Sequence, residues 1–381
     1  MKKTLSFVLI VAMILIMQIP IYAVTPFSGD GIDARSAILI DGDTGTVLFE
    51  LNADEAYSPA SVTKVMTMLL VLEAIDSGNI ALTDVVTVSA NAAGKGGSQV
   101  YLAEGEQMTV DELMKCMIVS SANDAATALA EYVCGSEATF IARMNERAAE
   151  LGCKSSHFEN ATGLDDTATN HVMTARDIAT ISAAVISHPL VFNYSTIWMD
   201  TIRNGAFGLS NTNRLIRFYD GATGLKTGST SRAGFCISAT ASRDGLNLIA
   251  VIMGSSTRDA RNALAKSMLD YGYANYAAYN DGARDIGTVD VVGGTDKTVA
   301  VKTVGFGALL QKGEPSKVEA VTELYDNVAA PVAVGDKVGT VTYKIGDRVI
   351  GTADIVAVDS VDRVTFFTLL PRLWRRFILC K

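Results

Sequence analysis

The chain has 381 residues, 49% of them hydrophobic and 19% charged, with a formal net charge of −9. So much apolar material rules out a disordered chain, and the length is too great for one small core, so two folded domains are expected. An acidic body lacks the basic surface that a nucleic-acid partner needs.

Met1 to Ala23 reads as a secretory signal. Lys2 and Lys3 form a basic start, Leu5 to Met17 an apolar run, and Ile21-Tyr22-Ala23 ends on a small residue suited to cleavage. An uncleaved anchor is the alternative, which Pro20 and the shortness of the run disfavour. Ser36 to Ile40 and Thr46 to Glu50 are strand-like, and Asp41 to Gly45 between them is turn material, so a hairpin is expected.

Ser58-Pro59-Ala60-Ser61-Val62-Thr63-Lys64 then leads into an apolar run with helical spacing that stops at Gly78. Pro59 suits the approach to a helix, so Ser61 falls at or beside its N-terminus, and Lys64 lies one turn up on the same face. A serine hydroxyl is a weak nucleophile until a neighbour takes its proton. A lysine can do so if burial, the helix N-terminus and a second cation depress its pKa. Taken alone, this spacing occurs by chance in most chains, usually as a capping serine and a solvated lysine, so the rest of the chain has to decide.

Ala81 to Met108, with Gly94, Gly96 and Gly97, reads as a loop excursion with short strands. Thr109-Val110-Asp111-Glu112 is a capping box that opens a helix through Val119. Ser120-Ser121-Ala122-Asn123 interrupts the helical pattern before a second apolar helix, Ala125 to Val133. The plain reading of that break is a helix–helix turn capped by Ser121 or Asn123. Helices are expected at about Glu137 to Leu151 and at Ala175 to Ser187.

Gly221 to Thr230 carries Lys226-Thr227-Gly228-Ser229 and runs into two strand-like segments, Gly234 to Ser242 and Leu246 to Gly254. These are joined by an Arg243-Asp244-Gly245 turn. Ala260 to Tyr271 is helical. A hairpin, several helices, then strands and a last helix give an α+β domain with helices against an antiparallel sheet. After Tyr279 the chain becomes Val-, Thr- and Gly-rich without helical periodicity, so a small all-β domain follows, with the boundary near Asn280 to Arg284.

The five cysteines (Cys116, Cys134, Cys153, Cys236, Cys380) lack CxxC spacing, and His157, His171 and His188 lack an HExxH pattern. Neither a disulfide framework nor a zinc hydrolase is supported, and no metal or cofactor is called for.

A Ser-x-x-Lys, a Ser-x-Asn about sixty residues on and a Lys-Thr-Gly about a hundred residues later occur in that order in an exported chain. With these motifs the chain resembles the serine-type D-alanyl-D-alanine carboxypeptidases, the low-molecular-mass penicillin-binding proteins of the peptidase S11 kind. The resemblance implies a signal at 1–23, a penicillin-binding/β-lactamase-like catalytic domain at 27–280, a small β-sandwich at 285–360 and an amphipathic membrane-anchoring tail at 361–381. It also implies removal of the terminal D-alanine from peptidoglycan stem peptides through a Ser61 acyl-enzyme, and covalent trapping by β-lactams. Lys64 would be the base, and Ser121 would bridge the two lysines and relay the proton. Asn123 would hold the substrate backbone, and Lys226 and Thr227 the terminal carboxylate. Gly228 would let the substrate lie along the strand edge, and the N–H groups of Ser61 and Ser229 would form the oxyanion hole. Arg261 stands where similar enzymes carry an arginine near the carboxylate, although its position also fits a solvated helix residue. Ser229 stands where some relatives have histidine.

The leaving D-alanine carries a carboxylate, so the site needs cations, and the charge of Lys226 also favours a neutral Lys64. A β-lactamase, a D,D-endopeptidase and an inactive wall-binding homologue are the competing readings. No glutamate between His157 and Asp177 stands out as the base that one β-lactamase class uses. In the tail, Phe366, Phe367, Leu370, Leu373, Trp374, Phe377 and Ile378 recur at three- and four-residue spacing. Arg363, Arg372, Arg375, Arg376 and Lys381 add positive charge. This is the pattern of a helix lying in a membrane interface, and for an exported chain of the resembled family the outer face of the cytoplasmic membrane is the expected place. Docking of that helix on the β domain is the alternative.

Overall fold

The computed structural model describes residues 26–370, apart from residues 30 and 167. The expected signal, 1–23, and the tail from 371 onward, including Arg372, Leu373, Trp374, Arg375, Arg376, Phe377, Ile378 and Lys381, lie outside the described residues.

Strands β1 (Ser36–Asp41) and β2 (Val47–Leu51) form the expected hairpin. Its turn is tied by the Asp41 carboxylate, which accepts from the backbone N–H and hydroxyl of Thr44. Helix α1 (Lys64–Asp76) is buried at every position from Lys64 to Leu72. A helix apolar on all sides belongs at the centre of a core, and this one is enclosed by other helices and the sheet. It ends at Gly78, whose φ of +73° is the left-handed conformation that glycine takes without steric cost.

The glycine-rich excursion is bracketed by a small ladder of β3 (Val85–Thr87) and β4 (Gln107–Thr109). Helix α2 (Val110–Val119) opens on the expected capping box, with both Thr109–Glu112 bonds in place. Helices α3 (Asn123–Cys134), α4 (Glu137–Glu150) and α5 (Ala175–Ile186) follow. Next comes a short hairpin, β5 (Met199–Ile202) with β6 (Phe207–Ser210).

Strands β7 (Ala222–Thr230), β8 (Gly234–Arg243) and β9 (Leu246–Ser255) complete a five-stranded antiparallel sheet in the order β2–β1–β9–β8–β7. The two-residue period of β9 divides its side chains between two cores. Ile249, Val251 and Met253 face the α1, α2 and α5 side. Leu248, Ala250 and Ile252 face α6 (Arg258–Asn275), which contributes Ala265, Met268 and Leu269. Each fully buried aliphatic side chain of this kind stabilises by about 1.5–3 kcal/mol. Strand β7, which carries the Lys-Thr-Gly motif, is an edge strand and presents its outer rim to the helical side of the domain.

Helix α6 passes straight into β10 (Tyr276–Asp281), which pairs with β13 (Phe306–Gln311). The all-β unit therefore begins its pairing a few residues ahead of the composition change. A six-stranded sheet is built from β11 (Asp285–Val292), β12 (Thr298–Thr303), β14 (Glu319–Leu324), β15 (Asn327–Ala329), β16 (Lys337–Ile345) and β17 (Arg348–Ala357). Valines fill its core around Tyr343, whose ring stacks on Phe306 at 4.3 Å and whose hydroxyl donates to Asp281. Residues 366–370 are helical, with Phe366, Phe367 and Leu370 exposed. Among the described residues, no helix is long and apolar enough to cross a membrane.

Candidate active site

Ser61 lies on a tight 3-10 turn, Ala60–Thr63, that feeds directly into α1. The turn is clamped from both sides. A Cβ on Gly163 would sit 1.8 Å from the Ala60 carbonyl oxygen, and one on Gly228 would sit 2.8 Å from the Pro59 oxygen and from the Ser61 nitrogen. Only glycine permits either approach. Ala60, next to the motif Ser61, has φ +48°, and the motif Ser121 itself has φ +61°, left-handed conformations uncommon for residues with a Cβ. Behind the turn, His171 Nδ1 accepts the Glu159 N–H at 3.0 Å. That leaves Nε2–H to donate to the Thr63 hydroxyl at 2.8 Å. Burial pushes His171 down to about 4, so the ring stays neutral near pH 7.

Lys64 Nζ is 3.0 Å from Ser61 Oγ, 2.5 Å from Asn123 Oδ1 and 2.8 Å from the Thr162 carbonyl oxygen. Burial, and then the charge of Lys226, push its pKa well below the usual lysine range, while Asp124 opposes the shift. A neutral amine has two N–H bonds and one lone pair. The Asn123 and Thr162 oxygens take the two hydrogens, so the lone pair faces Ser61 Oγ. The same three neighbours suit the ammonium formed once the amine has taken the serine proton.

Lys226 reaches in from β7 and donates to Ser121 Oγ and to the Thr227 carbonyl, both at 2.8 Å. Burial, then the charge of Arg261, bring it down to about 7. Arg261, in the first turn of α6, is no solvated helix residue. It is 3% exposed, donates to the Cys236 carbonyl and to Asn262 Oδ1, and is lowered to about 10 by burial. Among the described residues, neither Lys226 nor Arg261 has a salt-bridge partner, so the site is poised for an anion that arrives from outside.

A cleft of about 500 Å³ opens over these groups, lined by Ser61, Ser121, Thr227, Gly228, Ser229 and Arg261. Lys64 and Lys226 lie buried beneath it. Asn123, expected at the substrate backbone, is 2% exposed, and its amide is engaged with Lys64 and the Gly96 carbonyl. Glu159 accepts from the Asn170 N–H and Asp165 from the Thr230 hydroxyl, and neither lines the cleft.

Trp198, Thr212, Arg214 and Arg258 also line the cleft and were not anticipated. The β5–β6 hairpin flanks Trp198 and Ser210, and its turn residues Arg203 and Asn204 have φ of +53° and +55°. The Asn204-Gly205 pair was the available turn signal. Thr212 accepts from the Thr227 hydroxyl at 2.8 Å.

A serine hydrogen-bonded to a buried lysine of depressed pKa, in the seam between a helical layer and a sheet edge, defines a serine acyl-transfer enzyme. The chain belongs to the peptidase S11 family of D-alanyl-D-alanine carboxypeptidases, whose family model matches residues 23–257. A second model, for the C-terminal domain of penicillin-binding protein 5, matches residues 276–363. D-alanyl-D-alanine carboxypeptidase DacF of Bacillus subtilis is 38% identical over 355 residues, covering 91% of each chain. Penicillin-binding protein 5 of Haemophilus influenzae superposes with a TM-score of 0.74 at 32% identity, over 90% of this chain and 100% of that one. Penicillin-binding protein D2 of Listeria monocytogenes, in its ampicillin-bound form, is 31% identical with a TM-score of 0.59, over 65% of this chain and 100% of that one.

Proposed function

We propose that Ser61 and Lys64 carry out the removal of the terminal D-alanine from peptidoglycan stem peptides ending in D-Ala-D-Ala, and that β-lactams acylate the same serine. The observation that carries this reading is the buried Lys64 amine 3.0 Å from Ser61 Oγ, where burial and the charge of Lys226 push its pKa well below the usual lysine range. Ser61 Oγ attacks the carbonyl carbon of the penultimate D-alanine as its proton passes to Lys64 Nζ. The oxyanion is held by the Ser61 and Ser229 N–H groups, where one donor is worth about 3–4 kcal/mol. The amide bond then breaks, its nitrogen takes through Ser121 the proton that Lys64 Nζ holds, and D-alanine leaves. Water attacks the ester carbonyl as the freed Lys64 accepts its proton, the C–O bond to Ser61 breaks, Lys64 returns that proton to Ser61 Oγ, and the shortened peptide leaves as its acid. Lys226, Thr227 and Arg261 bind the terminal carboxylate, Gly228 brings the strand edge to the nucleophile, and Asn123 holds the base in register. The test is release of free D-alanine from an N-acylated tripeptide ending in D-Ala-D-Ala. The native chain should release one equivalent, and Ser61→Ala none.

The charge pattern sets a pH dependence. Lys226 loses its proton as pH rises through about 7. In the free enzyme kcat/KM for carboxylate-terminated peptides should therefore fall above that pH. Arg261 is the second cause of the shift, so Arg261→Gln should move the basic limb to higher pH while lowering the plateau. A pH profile with an unmoved limb would contradict the coupling.

The chain is further proposed to be exported and held at the outer face of the cytoplasmic membrane by its tail. Exposure of Phe366, Phe367 and Leu370 on the helix at 366–370 supports this reading, together with the basic residues beyond it. The mature chain should float with anionic liposomes, and a version ending at Ser360 should stay in solution. Equal behaviour of the two would remove the tail as anchor.

A further inference from the structure

We propose that Arg214 and Arg258 form an outer anion-capture pair at the cleft mouth, gathering carboxylate-terminated peptides before the carboxylate passes to the inner cations. The proposal rests on the reading that Lys226, Thr227 and Arg261 bind that carboxylate.

Both arginines line the cleft and both are exposed. Among the described residues neither has a salt-bridge partner, which is equally true of Arg35, Arg217 and Arg232; what sets Arg214 and Arg258 apart is that both line one cleft, beside Arg261, in a protein of net charge −9. A cleft lined by one sign of charge concentrates ligands of the other, and the effect weakens with salt.

Their positions are built by the fold. Arg258 precedes Arg261 by three residues at the start of α6, so the two share a helix face, one outer and one inner. Arg214 is placed by Asn213, which is buried, donates from Nδ2 to the Gly224 carbonyl of β7 and accepts the Leu215 N–H. Asp259 and Lys266 lie with Arg214 in the adjoining depression, where they offset one another. The pair thus lines the cleft beside Arg261, Arg214 from a turn that packs on the motif strand β7 and Arg258 from the helix that packs on β8 and β9.

The experiment uses the full chain, an R214A/R258A double variant and an R214K/R258K control, with an N-acylated tripeptide ending in D-Ala-D-Ala. At about 20 mM salt, where the screening length is about 20 Å, R214A/R258A should raise KM about tenfold and change kcat by less than about twofold. At about 500 mM salt the native KM should climb toward that of the double variant, whose own KM should stay flat. R214K/R258K keeps the charge and should keep the native KM. Acylation by a penicillin should slow about tenfold in R214A/R258A, and acylation by its methyl ester should not. A KM within about twofold of native at low salt, or an equal loss for the ester, would overturn the proposal. If the native chain released no D-alanine, the failure would lie in the catalytic reading instead.

Discussion

Lys64→Ala is expected to slow acylation of Ser61 by a penicillin at least about 100-fold, the lower range for losing a general base. The alternatives within reach are poor. His171 is turned toward Thr63 and held neutral by burial, and Asp165 is engaged by Thr230. Lys226 is directed at Ser121 and the Thr227 carbonyl. Removing the amine leaves Asn123 Oδ1 and the Thr162 carbonyl without their donor, at about 1–3 kcal/mol for each buried group. Relief of a desolvated lysine offsets part of that loss, so the variant should fold with a lowered melting temperature. Lys64→Met, closer in volume, should be as slow with a smaller drop in stability. The check is a time course of intact mass with excess penicillin, beside thermal melts of both variants. A rate within about tenfold of native in the folded variants would assign the base elsewhere.

Gly228→Ala should be nearly as damaging, for a purely steric reason. The added methyl would lie 2.8 Å from the Pro59 oxygen, 2.8 Å from the Ser61 nitrogen and 2.9 Å from the Val62 nitrogen. All three are backbone atoms of the clamped nucleophile turn, so the strand edge and the turn must separate. That displaces both proposed oxyanion donors, and a loss of about 100- to 1,000-fold in kcat follows if one of them is misplaced. Because β7 keeps its pairing with β8 on the other side, the melting temperature should change far less than activity. D-alanine release by a folded Gly228→Ala protein measures this directly. Near-native turnover would show that the close approach is not part of the site.

These two residues mark what was legible in the sequence. A three-residue helical spacing fixes the relation of Ser61 and Lys64, but only the later Ser121-x-Asn123 and Lys226-Thr227-Gly228 motifs mark the pair as catalytic. The strand assignment of Lys226 followed from the hairpin after it, and β8 and β9 lie where the turn at Asp244-Gly245 requires. Gly228 is expected from sequence to clear the strand edge for substrate, but its contact with the Pro59–Val62 turn, between elements far apart in sequence, exists only in the packed structure. Arg261 was ambiguous, because a first-turn helix residue can face solvent or sheet, and the packing of α6 on β8 and β9 decides it. Asn123 was placed on the substrate side, yet α3 begins at this residue and turns its amide inward to Lys64 and Gly96. The outer arginines carry no signal because an exposed arginine at the edge of a helix has no local signature.

The most direct test of the central claim is intact-mass analysis of the mature chain incubated with a penicillin, followed by peptide mapping. The account predicts one adduct per chain, slow to hydrolyse, on the peptide that contains Ser61, and none on Ser61→Ala. An adduct on another residue, or normal labelling of Ser61→Ala, would contradict it.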